Sequence, residues 1–318
     1  MRYSKRTDDI IESFIMKLIS VSKEEGMISF ATGLPDGRLF DTEGIAKAAA
    51  DVLRENPKEA LQYSTLKGIP ALRSKIAARC KKEMNFDVSV ENIFITNGSQ
   101  ECFDLIGKIF IDKGDGMVVD DPGYLGALQS FSLYGPDLIG VPMNEDGPDS
   151  VRLSEALKRS PKLYYSIPNH QNPSGFSYSR DKRKEVAEMI SSSECVMVED
   201  DAYGELGYEG RIGPPVRSMA DNVILTGSFS KIISPGMRIG WMIVPDEMVD
   251  MTMKCVESSS LHANSFSQNV MDRFLDDLNI DTYLGGLRKE YKRKKEAQLF
   301  YYFHLISLIR ACYANTAD

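Results

Sequence analysis

The sequence predicts an α/β fold, a mostly parallel seven-stranded sheet flanked by helices, and three observations carry that prediction. Short apolar or β-branched runs recur from Ile93 onward. Longer segments of mixed polarity, with helix-like character, separate them. Strands that alternate with helices imply a parallel sheet covered on both faces. Finally, the chain has 318 residues, 42% of them hydrophobic, enough for one large domain with a sizeable core and part of a second.

The strands are expected at Ile93 to Thr96, Met117 to Val119, Leu138 to Val141, Leu163 to Ile167, Cys195 to Val198, Val223 to Thr226 and Trp241 to Val244. Ser99 to Ile111, Ser154 to Arg159 and Ser179 to Ile190 read as helices, the last two with a serine near the expected N-cap. Before the sheet, residues 1–40 form a distinct N-terminal segment. It holds an expected helix over Thr7 to Val21, then Ile28 to Pro35, where Gly33 and Pro35 mark an irregular loop. No internal repeat, low-complexity tract or linker is visible.

Composition excludes several classes of function. The net charge is −8, and the one basic run, Lys289 to Lys295, is interleaved with Glu290 and followed by Glu296, so no nucleic-acid footprint is expected. Cys80, Cys102, Cys195, Cys255 and Cys312 are far apart and form no C-x-x-C pair, which argues against disulfides or zinc and for a reducing cytoplasm. His170, His262 and His304 share no metal-ligand spacing, so no metal is expected. Met1 to Lys5 leads into an amphipathic stretch rather than a signal peptide. The apolar run Leu299 to Ile309 is about half of the ~20 residues a membrane span requires.

Ligands of open α/β sheets bind beyond the carboxyl ends of the strands. The first run ends in Asn97-Gly98-Ser99-Gln100 before a helix, a place where free N–H groups and the helix dipole favour an anion. Alone, this reads equally as a turn and an N-cap. Asp120-Asp121-Pro122-Gly123-Tyr124 offers an aromatic face, and Pro168 to Gly175, containing Asn172, reads as a polar turn. Glu199-Asp200-Asp201-Ala202-Tyr203 puts three carboxylates at a strand end, costly unless cations are near. Gly227-Ser228-Phe229-Ser230-Lys231 follows, then Gly236 to Trp241 containing Arg238. A lysine is a suitable nucleophile toward carbonyls, and the serines and arginine around it suit a phosphate.

In this order the motifs resemble the fold-type I pyridoxal phosphate enzymes, specifically the class I/II aminotransferases. Ile28 to Asp36 together with Ser228 to Trp241 is most similar to the branch of 2-aminoadipate and kynurenine aminotransferases. The resemblance covers Lys5 to about Lys295. It implies a pyridoxal 5'-phosphate cofactor held as a Schiff base on Lys231, which also serves as the base at the substrate Cα. Asp200 would pair with the ring nitrogen, Tyr203 and Asn172 with the phenolic oxygen, and Tyr124 would stack on the ring. Gly98, Ser99, Gln100, Ser228, Ser230 and Arg238 would surround the phosphate. Tyr63, in Tyr63-Ser64-Thr65-Leu66-Lys67-Gly68, would reach the phosphate of a neighbouring subunit in a homodimer, and Gly33 and Asn172 would contact substrate. Amino acids and 2-oxo acids such as 2-oxoglutarate are the implied substrates, with neither nucleic acid nor membrane as a partner.

The resemblance fades after about Glu296. It implies residues 41–285 as the large cofactor-binding domain and 286–318 as an interdomain helix with an incomplete small domain, shortened by truncation or frameshift. Gln298 to Arg310 does not look like that helix continuing in its usual form. Family members bind the substrate carboxylate through an arginine of the small domain, and Arg288, Arg293 and Arg310 match no such motif. The competing expectations are another reaction of the same cofactor, such as β-elimination or decarboxylation, and a cofactor-binding pseudoenzyme or regulator-like module without efficient turnover.

Overall fold

A computed structural model describes residues 3–7, 17, 20–21 and 33–314, with side chains as far as 301. The expected helix over Thr7 to Val21 and the stretch Ile28 to Thr32 lie largely outside the described residues.

Eight strands form one sheet: β1 (Ile93–Thr96), β2 (Gly116–Asp121), β3 (Asp137–Asn144), β4 (Gly147–Pro148), β5 (Leu163–Ser166), β6 (Val196–Asp200), β7 (Val223–Ser228) and β8 (Gly240–Ile243). Their order is β1-β8-β7-β6-β5-β2-β3-β4. The central pairs β7·β6, β6·β5, β5·β2 and β2·β3 are parallel, while β8 runs antiparallel to both β1 and β7. Each of the seven expected strands is present. The eighth, β4, is a two-residue hairpin return on the edge of β3, too short to leave a periodic signal.

The helices are α1 (Thr42–Glu55), α2 (Pro57–Ala60), α3 (Pro70–Met84), α4 (Ser99–Phe110), α5 (Leu125–Ser132), α6 (Ser150–Leu157), α7 (Arg180–Ser191), α8 (Val249–Ser259), α9 (Ser265–Asp277) and α10 (Ile280–Ala314). Because successive strand residues face opposite ways, Phe94, Val119, Tyr165, Val198 and Met242 pack under α4, α5 and α8. Val118, Tyr164 and Met197 pack under α6 and α7. On that same side Ile95, Leu225 and Trp241 meet α1, α3, α9 and the start of α10.

Ser179 caps α7 as expected, accepting from the N–H of Lys182. The start of the preceding helix is corrected: α6 begins at Ser150 because Asp149 accepts from the N–H of Arg152, so Ser154 lies inside it. Toward the C-terminus, the backbone is helical through Ala314. The uninterrupted helix follows from a stretch with neither Gly nor Pro after Gly286. The expected boundary between residues 285 and 286 falls inside α10, which buries Leu284 and Leu287 in the core. Among the described residues, no helix is long and apolar enough to cross a membrane.

Candidate active site

The site lies at the end of the sheet where the parallel strands finish. β1 ends at Thr96, β6 at Asp200 and β7 at Ser228, while the antiparallel β8 starts there with Gly240 opposite both Thr96 and Ser228. A Cβ on Gly240 would lie 2.6 Å from the carbonyl carbon of Gly98 and 2.7 Å from the nitrogen of Ser99. Glycine there lets the loop after β1 close onto the sheet.

Gly98 precedes α4 with φ 86° and ψ 166°, and no side chain caps that helix. This backbone region is essentially restricted to glycine. A Cβ on Gly98 would also lie 2.4 Å from Nη2 of Arg238, which donates to the carbonyl of Asn97 at 3.0 Å. The uncapped first turn of α4 therefore opens beside a guanidinium, two positive influences in one place. Ser228 is buried and its Oγ accepts from the N–H of Ser230 at 3.1 Å. Gln100 is exposed, and its side-chain amide donates to the carbonyl of Gly126 at 3.0 Å.

Asp200 marks the other end and is 2% exposed. Its Oδ2 accepts from Tyr165 Oη at 2.8 Å and its Oδ1 from Thr226 Oγ1 at 3.3 Å. Burial pushes its pKa up to about 6, against the Tyr165 hydrogen bond. The neighbouring carboxylates have arginines. Glu199 lies 3.8 Å from Arg183, both fully buried. Asp201 pairs with Arg211 and accepts from Asn169 Nδ2. Asp200 alone of the three is hydrogen-bonded only by neutral hydroxyls.

Lys231, in the turn after β7, carries its Nζ 5.9 Å from the centroid of the Tyr203 ring. Burial lowers its pKa, with Asp200 acting in the opposite direction. Asn172 Nδ2 donates to Tyr203 Oη at 3.3 Å. Burial raises Tyr124 to about 12, and the charges of Asp200 and Arg238 both reach it, which places it among both ends of the site.

Eleven sequence-derived residues thus converge: Gly98, Ser99, Gln100, Tyr124, Asn172, Asp200, Tyr203, Ser228, Ser230, Lys231 and Arg238. Gly33 and Tyr63 stand apart within one chain. Gly33 is exposed with φ 54°, and Tyr63 is 77% exposed, its ring edge-on to His262 at 5.9 Å. Sequence reading missed Tyr165, Thr226, Gln171, Arg183 and Arg211. Gln171 joins two loops, its Nε2 donating to the carbonyl of Pro122 at 2.6 Å, beside Asn172 on one side and near Tyr124 on the other. A cleft of about 710 Å³ among Lys158, Lys162 and Glu188 opens at the opposite end of the strands, away from all of these residues.

Comparison with known proteins agrees with this geometry. Residues 25–298 match the family model described as aminotransferase class I and II. The aromatic-amino-acid aminotransferase 1 of Thermococcus litoralis is 33% identical over 305 residues, covering 93% of this chain and 73% of the relative. The structure of Pyrococcus horikoshii kynurenine aminotransferase superposes with a TM-score of 0.87 at 35% identity, over 93% of this chain and 75% of that one. The α-aminoadipate aminotransferase of Thermus thermophilus, solved with N-(5'-phosphopyridoxyl)-L-leucine, gives 0.86 at 36% identity over 94% and 75%. The chain belongs to the class I and II aminotransferases, enzymes that transfer amino groups with pyridoxal phosphate.

Proposed function

We propose that Lys231 is the lysine that carries the cofactor and that this site moves an amino group from an aminoadipate-like or aromatic amino acid to 2-oxoglutarate. The observation that carries the reading is the isolation of Asp200, a fully buried carboxylate whose hydrogen-bond partners are neutral. A buried carboxylate hydrogen-bonded only by neutral groups, with Lys231 acting on it through its charge alone, is unfavourable, and a protonated ring nitrogen would supply the directly bonded cation. At the opposite end, the gap beside Gly98, which a Cβ would fill, and the uncapped start of α4 suit a phosphate. The two ends and the lysine between them fit pyridoxal phosphate.

When bound, the cofactor supplies an aldehyde that condenses with amino groups and a protonated ring that withdraws electrons from the substrate Cα. Asp200 holds the proton at the ring nitrogen. Lys231, whose ammonium form burial disfavours, would accept a proton from the substrate Cα and return it at the cofactor's aldehyde-derived carbon, on the far side of the shared nitrogen. Asn172 and Tyr203 would hydrogen-bond the ring oxygen, Tyr124 would stack on the ring, and Gly98, Ser99, Gln100, Ser228, Ser230 and Arg238 would hold the phosphate. Since the Gln100 side chain is engaged with Gly126, its backbone is the part available. Asn172 faces substrate, Gly33, which stands apart in the single chain, would reach it only with the loop at residues 33–36 turned toward the site, and residues 41–285 make up the cofactor-binding domain. A cytoplasmic location belongs to the same reading and rests on the cysteines that are free among the described residues, Cys80, Cys102, Cys195 and Cys255.

Borohydride reduction of the holoenzyme, followed by peptide mass spectrometry, should find the pyridoxyl group on Lys231, and Lys231→Ala should carry none. A label on another lysine overturns the assignment. A homodimer in which Tyr63 serves the neighbouring site is part of the proposal, supported by the exposure of Tyr63. Mixing inactive Tyr63→Phe and Lys231→Ala proteins should then restore activity, and a mixture as inactive as its components counts against it.

A further inference from the structure

Consecutive tyrosines on β5 face opposite sides of the sheet, and each reaches an aspartate on a neighbouring strand. Tyr164 pairs with Val118 of β2 and donates to Asp120, two residues on, at 2.8 Å. Tyr165 pairs with Val198 of β6 and donates to Asp200, again two residues on, at 2.8 Å. The Tyr165 ring is held edge-on by Phe103 at 5.4 Å and tilted against Phe131 at 6.0 Å. It is 2% exposed, so its hydroxyl cannot exchange Asp200 for water.

We propose that Tyr165 is a positioning residue that sets the proton affinity of Asp200, aiming one carboxylate oxygen and keeping the group ionised for the cationic end of the cofactor. A hydroxyl that donates to a carboxylate stabilises the anion and lowers its pKa. Both groups are 2% exposed, so bulk solvent does not stand in for the bond. The other groups whose charges act on Asp200 are Asp201, which raises its pKa, and Lys231, which lowers it. Tyr124, Tyr203 and Cys102 also lie within reach of its charge. Thr226 supplies a second, longer hydrogen bond at 3.3 Å, so Tyr165 is the stronger of the two donors. The inference rests on Asp200 facing the ring nitrogen, and the test separates the two.

Tyr165→Phe keeps the ring and its packing and removes only the oxygen. The carboxyl stretch of Asp200, identified by comparison with Asp200→Asn, is followed by infrared difference spectroscopy in the cofactor-free protein across pH. Losing a hydrogen bond to a charged group should move the Asp200 midpoint upward by about one to two pH units, with Tyr164→Phe leaving it in place. In the holoenzyme, the pH profile of kcat and the visible spectrum should shift in the same direction, whereas KM stays nearly constant. An Asp200 midpoint equal to that of the unaltered protein overturns the inference. A shifted midpoint with an unshifted holoenzyme spectrum upholds the role of Tyr165 and overturns the pairing of Asp200 with the ring. Because thermal unfolding is measured alongside, a variant that fails to fold is replaced by Tyr165→3-fluorotyrosine, whose more acidic hydroxyl should move the midpoint downward instead.

Discussion

Replacing Gly98 by alanine tests the anion cradle and its backbone together. The residue sits at φ 86° and ψ 166°, where a side chain costs roughly 1–3 kcal/mol. The new Cβ, 2.4 Å from Arg238 Nη2, also forces the guanidinium away from the Asn97 carbonyl. That bond contributes on the order of 1–2 kcal/mol, so the fold should lose about 2–5 kcal/mol and several degrees of Tm. A displaced guanidinium forfeits a charge-assisted bond to the phosphate of ~1.5–3 kcal/mol, a 10- to 150-fold weaker cofactor Kd. Absorbance titration of the apoprotein and thermal unfolding read the two losses separately. Arg238→Ala should reproduce the affinity loss while costing the fold only the Asn97 bond, about 1–2 kcal/mol, because the Gly98 backbone stays unstrained. Gly98→Ala with unchanged cofactor affinity, or Arg238→Ala with unchanged affinity, would refute the reasoning.

Two further outcomes follow from the buried charges. Asp120 and Asp200 are pushed up by burial to about 6, and Glu199 to about 7. Carboxyls with folded pKa values above their unfolded ones stabilise the fold while protonated, so the contribution is present below pH ~4 and is lost as pH rises to about 7. The apoprotein Tm should therefore fall between pH 5 and 7.5, and saturation with pyridoxal phosphate, which on the proposed pairing sets a cation against Asp200, should flatten that slope; a Tm that rises through the window contradicts the assignment. Removing Arg211, the partner of buried Asp201, should cost roughly 3–5 kcal/mol because it leaves a carboxylate alone in the interior. Urea unfolding of Arg211→Ala measures this, and pairing it with Asp201→Asn should recover part of the loss.

The sequence by itself determined the strands, because each is a short apolar run, and where both faces are buried, as at Ile93 to Thr96 or Val223 to Thr226, it leaves no amphipathic alternative. It also determined which polar segments follow those strands, and therefore which residues meet at one end of the sheet. Helix starts were legible at Ser179, where a single capping residue competed, and at Ser99 after Gly98; at α6 the aspartate at 149 outcompeted the serine at 154. Only the tertiary structure decided which carboxylate is left without an arginine. Arg183 and Arg211 come from segments whose sequences carry no sign of their destination, and they neutralise Glu199 and Asp201 across 16 and 10 residues of chain. Tyr165 is likewise one of two adjacent tyrosines in the sequence. The pleat of β5 sends one to Asp120 and the other to Asp200, and strand register, fixed by hydrogen bonds between segments distant in the chain, is not written in either segment alone.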